Sequence, residues 1–216
     1  MLEAYLGRRS AARVQAGALR RGAGETIRAA LLCTDLRDFT ALSEASEPTA
    51  VIAALDASFD RIAGAVHAFG GEVLKFIGDG LLAIFPVDDA RNEAAACEAA
   101  LTAADEARAG VTALGGSIGI DGVESLRFGL GLHLGDVLYG NIGGGNRLDF
   151  TCIGPAVNLA ARIEKLTSKL RRTVLTSSDF AGHCGSRLAR VGQFLLPGAT
   201  GEQSVFGLVE ETPAAA

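Results

Sequence analysis

Two aspartates are placed where they could do chemistry. Asp35 follows the apolar run "RAALLCT", and Asp79 sits in the Gly-Asp-Gly of "EVLKFIGDGLLAIF", between two further apolar runs. Two carboxylates at strand ends with no histidine nearby suit hard cations such as Mg²⁺, which keeps several waters and takes its other ligands from phosphates. An aspartate in a Gly-Asp-Gly turn is also common on local grounds. Lys75 stands four positions before Asp79 in a run that otherwise reads as core. A local Lys75–Asp79 salt bridge is a weak reason for it, since an exposed pair contributes ~1 kcal/mol at most.

Further along, "VNLAARIE" places Asn158 and Arg162 at i and i+4, on one face of a helix. An amide beside a guanidinium can orient a sugar hydroxyl and neutralise charge on a phosphoryl group. The same spacing also fits the polar side of an ordinary amphipathic helix. After Asp35, "LRDFTALSE" turns from strand to helix around Phe39 and Thr40, and backbone N–H groups at such a turn can hold a phosphate. No GxxxxGK[ST] occurs, so no P-loop is present. The one GxSxG, Gly115-Gly116-Ser117-Ile118-Gly119, falls in a Gly-rich linker and not at the end of an apolar strand run, so it does not read as a nucleophile elbow. His67, His133 and His183 sit at no ligand or dyad spacing and read as structural.

The elements that must position these groups alternate along the chain. A buried strand is expected over 26–36, then a helix in "EPTAVIAALDASFDRIAGAVHAFGG", with apolar residues at helical spacing between Pro48 and Gly70. "EVLKFI" and "LLAIFPV" form a strand pair about the Gly-Asp-Gly turn. An Ala-rich helix with acidic residues at its start follows, then a Gly-rich linker over 110–122 and the strand "LRFGLGLHLG". The order β-α-β-β-α-β is the ferredoxin-like layout. "DVLYGNIG" reads as a separate strand, followed by a glycine loop, "RLDFTCIG", the helix "PAVNLAARIEKLTSKL", the strand "TVLTS" and a terminal strand pair around 187–209. The fold class is therefore α/β (α+β): a ferredoxin-like βαββαβ core with additional C-terminal strands and helices. We divide the chain into an Arg-rich N-terminal arm or linker (1–27), one folded domain (28–210) and a C-terminal tail (211–216).

Composition narrows the partners. The 216 residues are 49% hydrophobic and 21% charged, with net charge −5, so bulk electrostatics give no push toward nucleic acid or an anionic membrane. Any phosphate-bearing ligand needs local cations or metal ions. Cys33, Cys97, Cys152 and Cys184 lie far apart without zinc-site spacing and read as reduced cysteines of a cytoplasmic protein. No apolar run reaches the ~20 residues of a membrane span, and "MLE" opens no signal peptide.

Together these segments resemble the catalytic domain of the class III adenylate and guanylate cyclases. "CTDLRDFTALSE" is similar to the family's first metal motif, and "LKFIGDGLLAIF" to its Lys-Phe-x-Gly-Asp-Gly second metal motif. "LGLHLGDVLYGNIG" resembles its Gly-x-His-x-Gly-x-Val strand pair, and "RLDFTCIGPAVNLAARIEKL" its Asn/Arg helix. The four motifs stand in family order over about 28–209.

The resemblance implies an adenylate cyclase converting ATP to 3′,5′-cyclic AMP and pyrophosphate. Asp35 and Asp79 would bind two divalent cations, Mg²⁺ or Mn²⁺, for in-line attack of the ribose 3′-OH on the α-phosphate. Asn158 would orient the ribose and Arg162 stabilise charge on the α-phosphoryl group; Phe39 and Thr40 belong to the phosphate-binding turn. Lys75 and Thr151 fall where the family reads the purine. A lysine donor with a hydroxyl acceptor matches adenine N1 and N6, the Lys/Thr variant of a bacterial-type branch. A neutral acceptor implies modest selectivity for ATP over GTP. Sites would lie at a homodimer interface, one chain supplying the metal aspartates and the other the base-reading pair with Asn158 and Arg162. A guanylate cyclase, and a degenerate domain that only binds nucleotide or dimerises, are the alternatives. Members often carry sensor domains, so a regulatory partner outside this chain is expected. Two departures bear on phosphate binding: Asp38 stands where the first motif has Gly, and Pro197 where many members carry a lysine. Arg171, Arg172 and Arg190 are the candidates to supply that missing charge.

Overall fold

The computed structural model describes Ala11 and residues 24–115, 126–144, 147–198 and 201–211. The rest of the Arg-rich arm, most of the Gly-rich linker and the last five residues lie outside the described residues. In chain order the elements are β1 (Gly24–Leu36), α1 (Phe39–Ala45), α2 (Pro48–Ala68), β2 (Glu72–Ile77), β3 (Gly80–Pro86) and α3 (Glu93–Thr112). They continue as β4 (Phe128–Gly144), β5 (Arg147–Ile153), α4 (Pro155–Leu170), β6 (Val174–Ser177), α5 (Ser178–Ala181), a 3₁₀ turn (Gly185–Arg187), β7 (Leu188–Leu195) and β8 (Glu202–Leu208). All eight strands join one sheet in the order β2-β3-β1-β4-β6-β8-β7, with β5 paired to β4. The first strand and the hairpin are thus central neighbours, as the ferredoxin-like order requires.

Alternation along the strands gives the sheet two apolar faces. Ala30 and Leu32 of β1, Leu81, Ala83 and Phe85 of β3, and Leu130, Leu132 and Leu134 of β4 pack with α2 and α3 in one core. Ala29, Leu31 and Cys33, with Leu82, Ile84, Val137 and Tyr139, form the other face under Ala156 and Ala160 of α4. Proline at the first turn begins both α2 and α4, where its missing N–H costs nothing. Asn92 caps α3, its side chain accepting from the Ala95 N–H at 2.9 Å.

The sequence reading divides "LRFGLGLHLG" from "DVLYGNIG", but β4 is a single strand of 17 residues. Gly135 is there to admit the helix and makes no turn: a β-carbon on it would lie 2.7 Å from that of Ala156. Gly131 has the same purpose, since its β-carbon would meet the Ala160 carbonyl oxygen at 2.3 Å. Similarly, β1 begins at Gly24 rather than at 26. Cys33, Cys97, Cys152 and Cys184 are all buried free thiols, and burial pushes Cys33, Cys152 and Cys184 up to about 12, leaving them unreactive. His133 is buried and bonded through Nδ1 to the Ser177 hydroxyl at 2.7 Å, and His183 lies 3.3 Å from Glu93. Both have structural surroundings.

Candidate active site

Asp35 lies near the end of β1, paired with Gly80 on one side and Gly129 on the other. Strand alternation turns it to the α4 face, with Ala29, Leu31 and Cys33. Asp79 occupies the two-residue turn closing β2 onto β3, where Gly78 takes the positive φ of 61°. The Leu36 N–H donates to the Asp79 carbonyl at 3.3 Å, which ties the two segments together. A β-carbon on Gly80 would lie 1.9 Å from the Thr34 carbonyl oxygen, so only glycine allows this approach. The two carboxylates come within mutual influence. Burial, the Asp79 charge and a hydrogen bond between the two push Asp35 up to about 6, and Lys165 partly offsets this.

A third carboxylate faces the same corner. Glu164 of α4 is 8% exposed, and its Oε1 would lie 2.6 Å from a β-carbon on Gly129, the strand partner of Asp35. Burial first, and then the Asp35 charge, push Glu164 up to about 7; Arg37 and Lys165 pull the other way, and Asp79 adds to the rise. Half-buried Arg37 bonds to the Arg172 carbonyl, and its Nε is buried without a partner. Neither Glu164 nor Lys165 nor Arg37 stands out by type and spacing. One signal does exist for Glu164: it continues the buried helical stripe Ala156, Ala160, Ile163 and Thr167, where a carboxylate is out of place.

The strand β2 carries a bulge between Val73 and Lys75, which lets Leu74 turn inward while Lys75 is exposed. Lys75 is close enough to the Cys152 thiol to offset part of the rise that burial causes in its pKa. It therefore lies near the strand bearing Thr151. Among the described ion pairs none joins Lys75 to Asp79. Thr151 is 4% exposed, and its hydroxyl is buried with no hydrogen-bond partner. A buried orphan hydroxyl costs about 1–3 kcal/mol, a cost that a ligand atom would remove.

Asn158 is exposed on the first turns of α4 and Arg162 is half-buried one turn on. Phe39 packs against the larger core, while Thr40 is exposed beside it in α1. Asp38 precedes α1 at φ 59° and ψ 21°, a left-handed conformation that suits glycine and that aspartate tolerates better than most residues. Its carboxylate turns to Arg127 at 2.7 Å, both side chains being exposed. Of the three arginines considered for the missing charge, Arg172 donates to the Leu208 carbonyl, Arg171 ends α4, and Arg190 is exposed on β7.

The donor set fits divalent cations. Among the described residues no cluster of three or more His, Cys, Asp or Glu forms a closed metal cage. An adjacent carboxylate pair with one raised pKa is instead what an ion completed by phosphate oxygens would neutralise. No described helix is long and apolar enough to cross a membrane.

Comparison with known proteins places the chain among relatives. Adenylate cyclase 1 of Rhizobium meliloti is 33% identical over 153 residues, 70% of this chain and 22% of that protein. Adenylate cyclase of Anabaena cylindrica is 34% identical over 161 residues, 73% of this chain and 31% of that protein. The chain thus spans less than a third of each of these relatives. Among solved structures, a bacterial light-regulated adenylyl cyclase superposes with a TM-score of 0.83 at 24% identity, covering 99% of this chain and 61% of that one. The guanylyl cyclase Cya2 gives 0.74 at 26% identity, covering 87% and 95%. The model of the adenylate and guanylate cyclase catalytic domain matches residues 23–209, and the chain belongs to that family.

Proposed function

We propose that the chain is an adenylate cyclase catalytic domain that converts ATP to 3′,5′-cyclic AMP and pyrophosphate. The observation that carries this reading is the convergence of Asp35 and Asp79, with Asp35 held up at about 6 by burial and by its neighbour. Two Mg²⁺ or Mn²⁺ ions held by these carboxylates would supply Lewis-acid stabilisation of the 3′-oxygen and of the leaving pyrophosphate. The protein's own groups do the rest. Asn158 hydrogen-bonds and orients the ribose, bringing the 3′-hydroxyl in line with the α-phosphorus. Arg162 donates to the non-bridging oxygens as charge builds on the α-phosphoryl group. The backbone N–H groups at Phe39 and Thr40 face the triphosphate. Lys75 donates to adenine N1, and the unpaired Thr151 hydroxyl accepts from the N6 amine.

The sites are shared in a twofold homodimer. Support comes from apolar surface beside these residues: Phe76 and Ile77 are each 55% exposed on β2, and exposed Leu138 and Ile153 stand opposite each other on β4 and β5. Exposed groups of this size beside a site are characteristic of a contact face. One chain supplies Asp35 and Asp79, and its partner Lys75, Thr151, Asn158 and Arg162.

A guanylate cyclase is the second reading. It is favoured by one feature: a threonine hydroxyl donates as well as accepts, so Thr151 can face the O6 of guanine. Steady-state turnover of ATP and GTP with Mn²⁺ separates the two, with faster cyclic AMP formation expected. Asp38, which with Pro197 motivates a degenerate domain, has a milder account, since its carboxylate is already paired with Arg127. Absence of any cyclic nucleotide at high protein concentration with Mn²⁺ would leave only the degenerate reading.

A further inference from the structure

The guanidinium of Arg162 has no hydrogen-bond or ion-pair partner among the described residues. That leaves all its donors available to a phosphate, but an arginine without partners is free to sample many rotamers, and something else must fix it. The turn after β7 lies against it. A β-carbon on Gly198 would lie 2.9 Å from Nη2 of Arg162, 3.5 Å from Cζ and 3.7 Å from Nη1. The guanidinium therefore rests on bare backbone. Gly198 has a φ of +72°, open to glycine without strain.

The turn is itself held in place. Leu196 is 3% exposed and packs with Ile163, Leu166, Leu175 and Val205; Ile163 is the neighbour of Arg162 on α4. Pro197 then fixes the backbone between that anchor and Gly198. A buried leucine, a rigid proline and a residue without a side chain thus form a shelf of fixed height beneath one guanidinium. We propose that Gly198 is a positioning residue for Arg162: the turn Leu196–Pro197–Gly198 carries no phosphate-binding cation and instead holds Arg162 by shape. The proposal rests on the cyclase reading for its catalytic consequence, though not for its structural content.

A methyl group at Gly198 would fall about 0.5 Å short of the 3.4 Å at which ordinary contact begins, and a side-chain tip gives way before backbone does. The window of useful donor distances is itself only about 0.4 Å wide, so Arg162 would be pushed out of it. The expected result for Gly198→Ala is a fall in kcat of about tenfold, a fraction of the 10²–10³ seen when such a donor is removed, with KM within about twofold.

The control is Gly185→Ala. Gly185 has a φ of +53° with nothing within 4 Å of its β-carbon position, so it carries similar backbone strain without a displaced arginine. It is expected to lower Tm as Gly198→Ala does and to leave kcat unchanged. In an Arg162→Lys background, Gly198→Ala should cost nothing further, because the coupled group is gone. Should Gly198→Ala fail to fold, Gly198→Asn tolerates the left-handed backbone and keeps the obstructing β-carbon.

A second readout needs no turnover: the side-chain Nε–H resonance of Arg162, assigned by its loss in Arg162→Lys. It is expected to be the same in the wild type and in Gly185→Ala, and to move in Gly198→Ala as the added methyl displaces the guanidinium. If the wild type makes no cyclic nucleotide, the cyclase reading fails while this signal still decides the positioning. An unchanged resonance, a kcat equal to that of Gly185→Ala, or a loss that adds fully to Arg162→Lys would overturn the proposal.

Discussion

Replacing Glu164 by glutamine should make the protein more stable at pH 8 than at pH 5, relative to wild type. Glu164 is raised from its ordinary 4.5 to about 7, chiefly by burial and by the charge of Asp35. The folded state therefore prefers the neutral acid, and the unfolded chain ionises more readily. The stabilising contribution is complete below about 4.5 and is lost as pH climbs through about 7. At about 1.4 kcal/mol per pKa unit, the rise from 4.5 to about 7 corresponds to about 3 kcal/mol. Glutamine keeps the shape and cannot ionise, so any fixed cost of the buried amide is the same at both pH values and cancels. The assay is urea denaturation of both proteins in chelator between pH 5 and 8. The stability difference between variant and wild type should move in the variant's favour by about 2–3 kcal/mol across that range. Part of the pH slope should persist in the variant, because Asp35 is also raised, to about 6. Parallel pH profiles would refute the reasoning, and so would a variant that loses ground toward pH 8. The latter would mean that Arg37 pairs with the carboxylate strongly enough to favour its charge.

Three further outcomes are expected. Gly131→Ala must move backbone, since its β-carbon would meet the Ala160 carbonyl oxygen at 2.3 Å and the Glu164 nitrogen at 2.4 Å; thermal melts should show a loss of about 3 kcal/mol or more, and an unchanged Tm would contradict the close packing of α4 on β4. Thr151→Val should raise stability by about 1 kcal/mol by removing the orphan hydroxyl while raising KM for ATP, which paired melts and steady-state kinetics would read out. Phe76→Ser with Ile77→Ser should make specific activity depend on protein concentration, through a weaker dimer. Ultracentrifugation showing the same association as wild type would remove that face from the interface.

The sheet and the carboxylate pair were legible because their signals are local. Apolar runs broken by Gly-Asp-Gly define a hairpin, and Asp35 follows directly from its strand. The single strand β4 was hidden because glycine has two meanings. In a sequence Gly135 punctuates; in the fold it clears space for Ala156. Lys75 reads as misplaced in the sequence because period-2 alternation assumes a regular strand, whereas the bulge between Val73 and Lys75 changes the phase. Glu164 belongs to the quoted helix, yet its burial depends on Gly129 in a distant strand. The shelf at Gly198 depends likewise on two elements that approach only after folding. Pairs of residues far apart in sequence leave no mark on either one alone.

Active sites shared between two identical chains, as proposed, would each draw on both subunits. The most direct test of that sharing mixes Asp79→Ala with Arg162→Ala and follows cyclic AMP formation with Mn²⁺ and ATP. Each variant alone should be nearly inactive. After subunit exchange half of the dimers are mixed, each with one intact site, so activity should return to about a quarter of wild type. No recovery in a mixture whose subunits demonstrably exchange would contradict it.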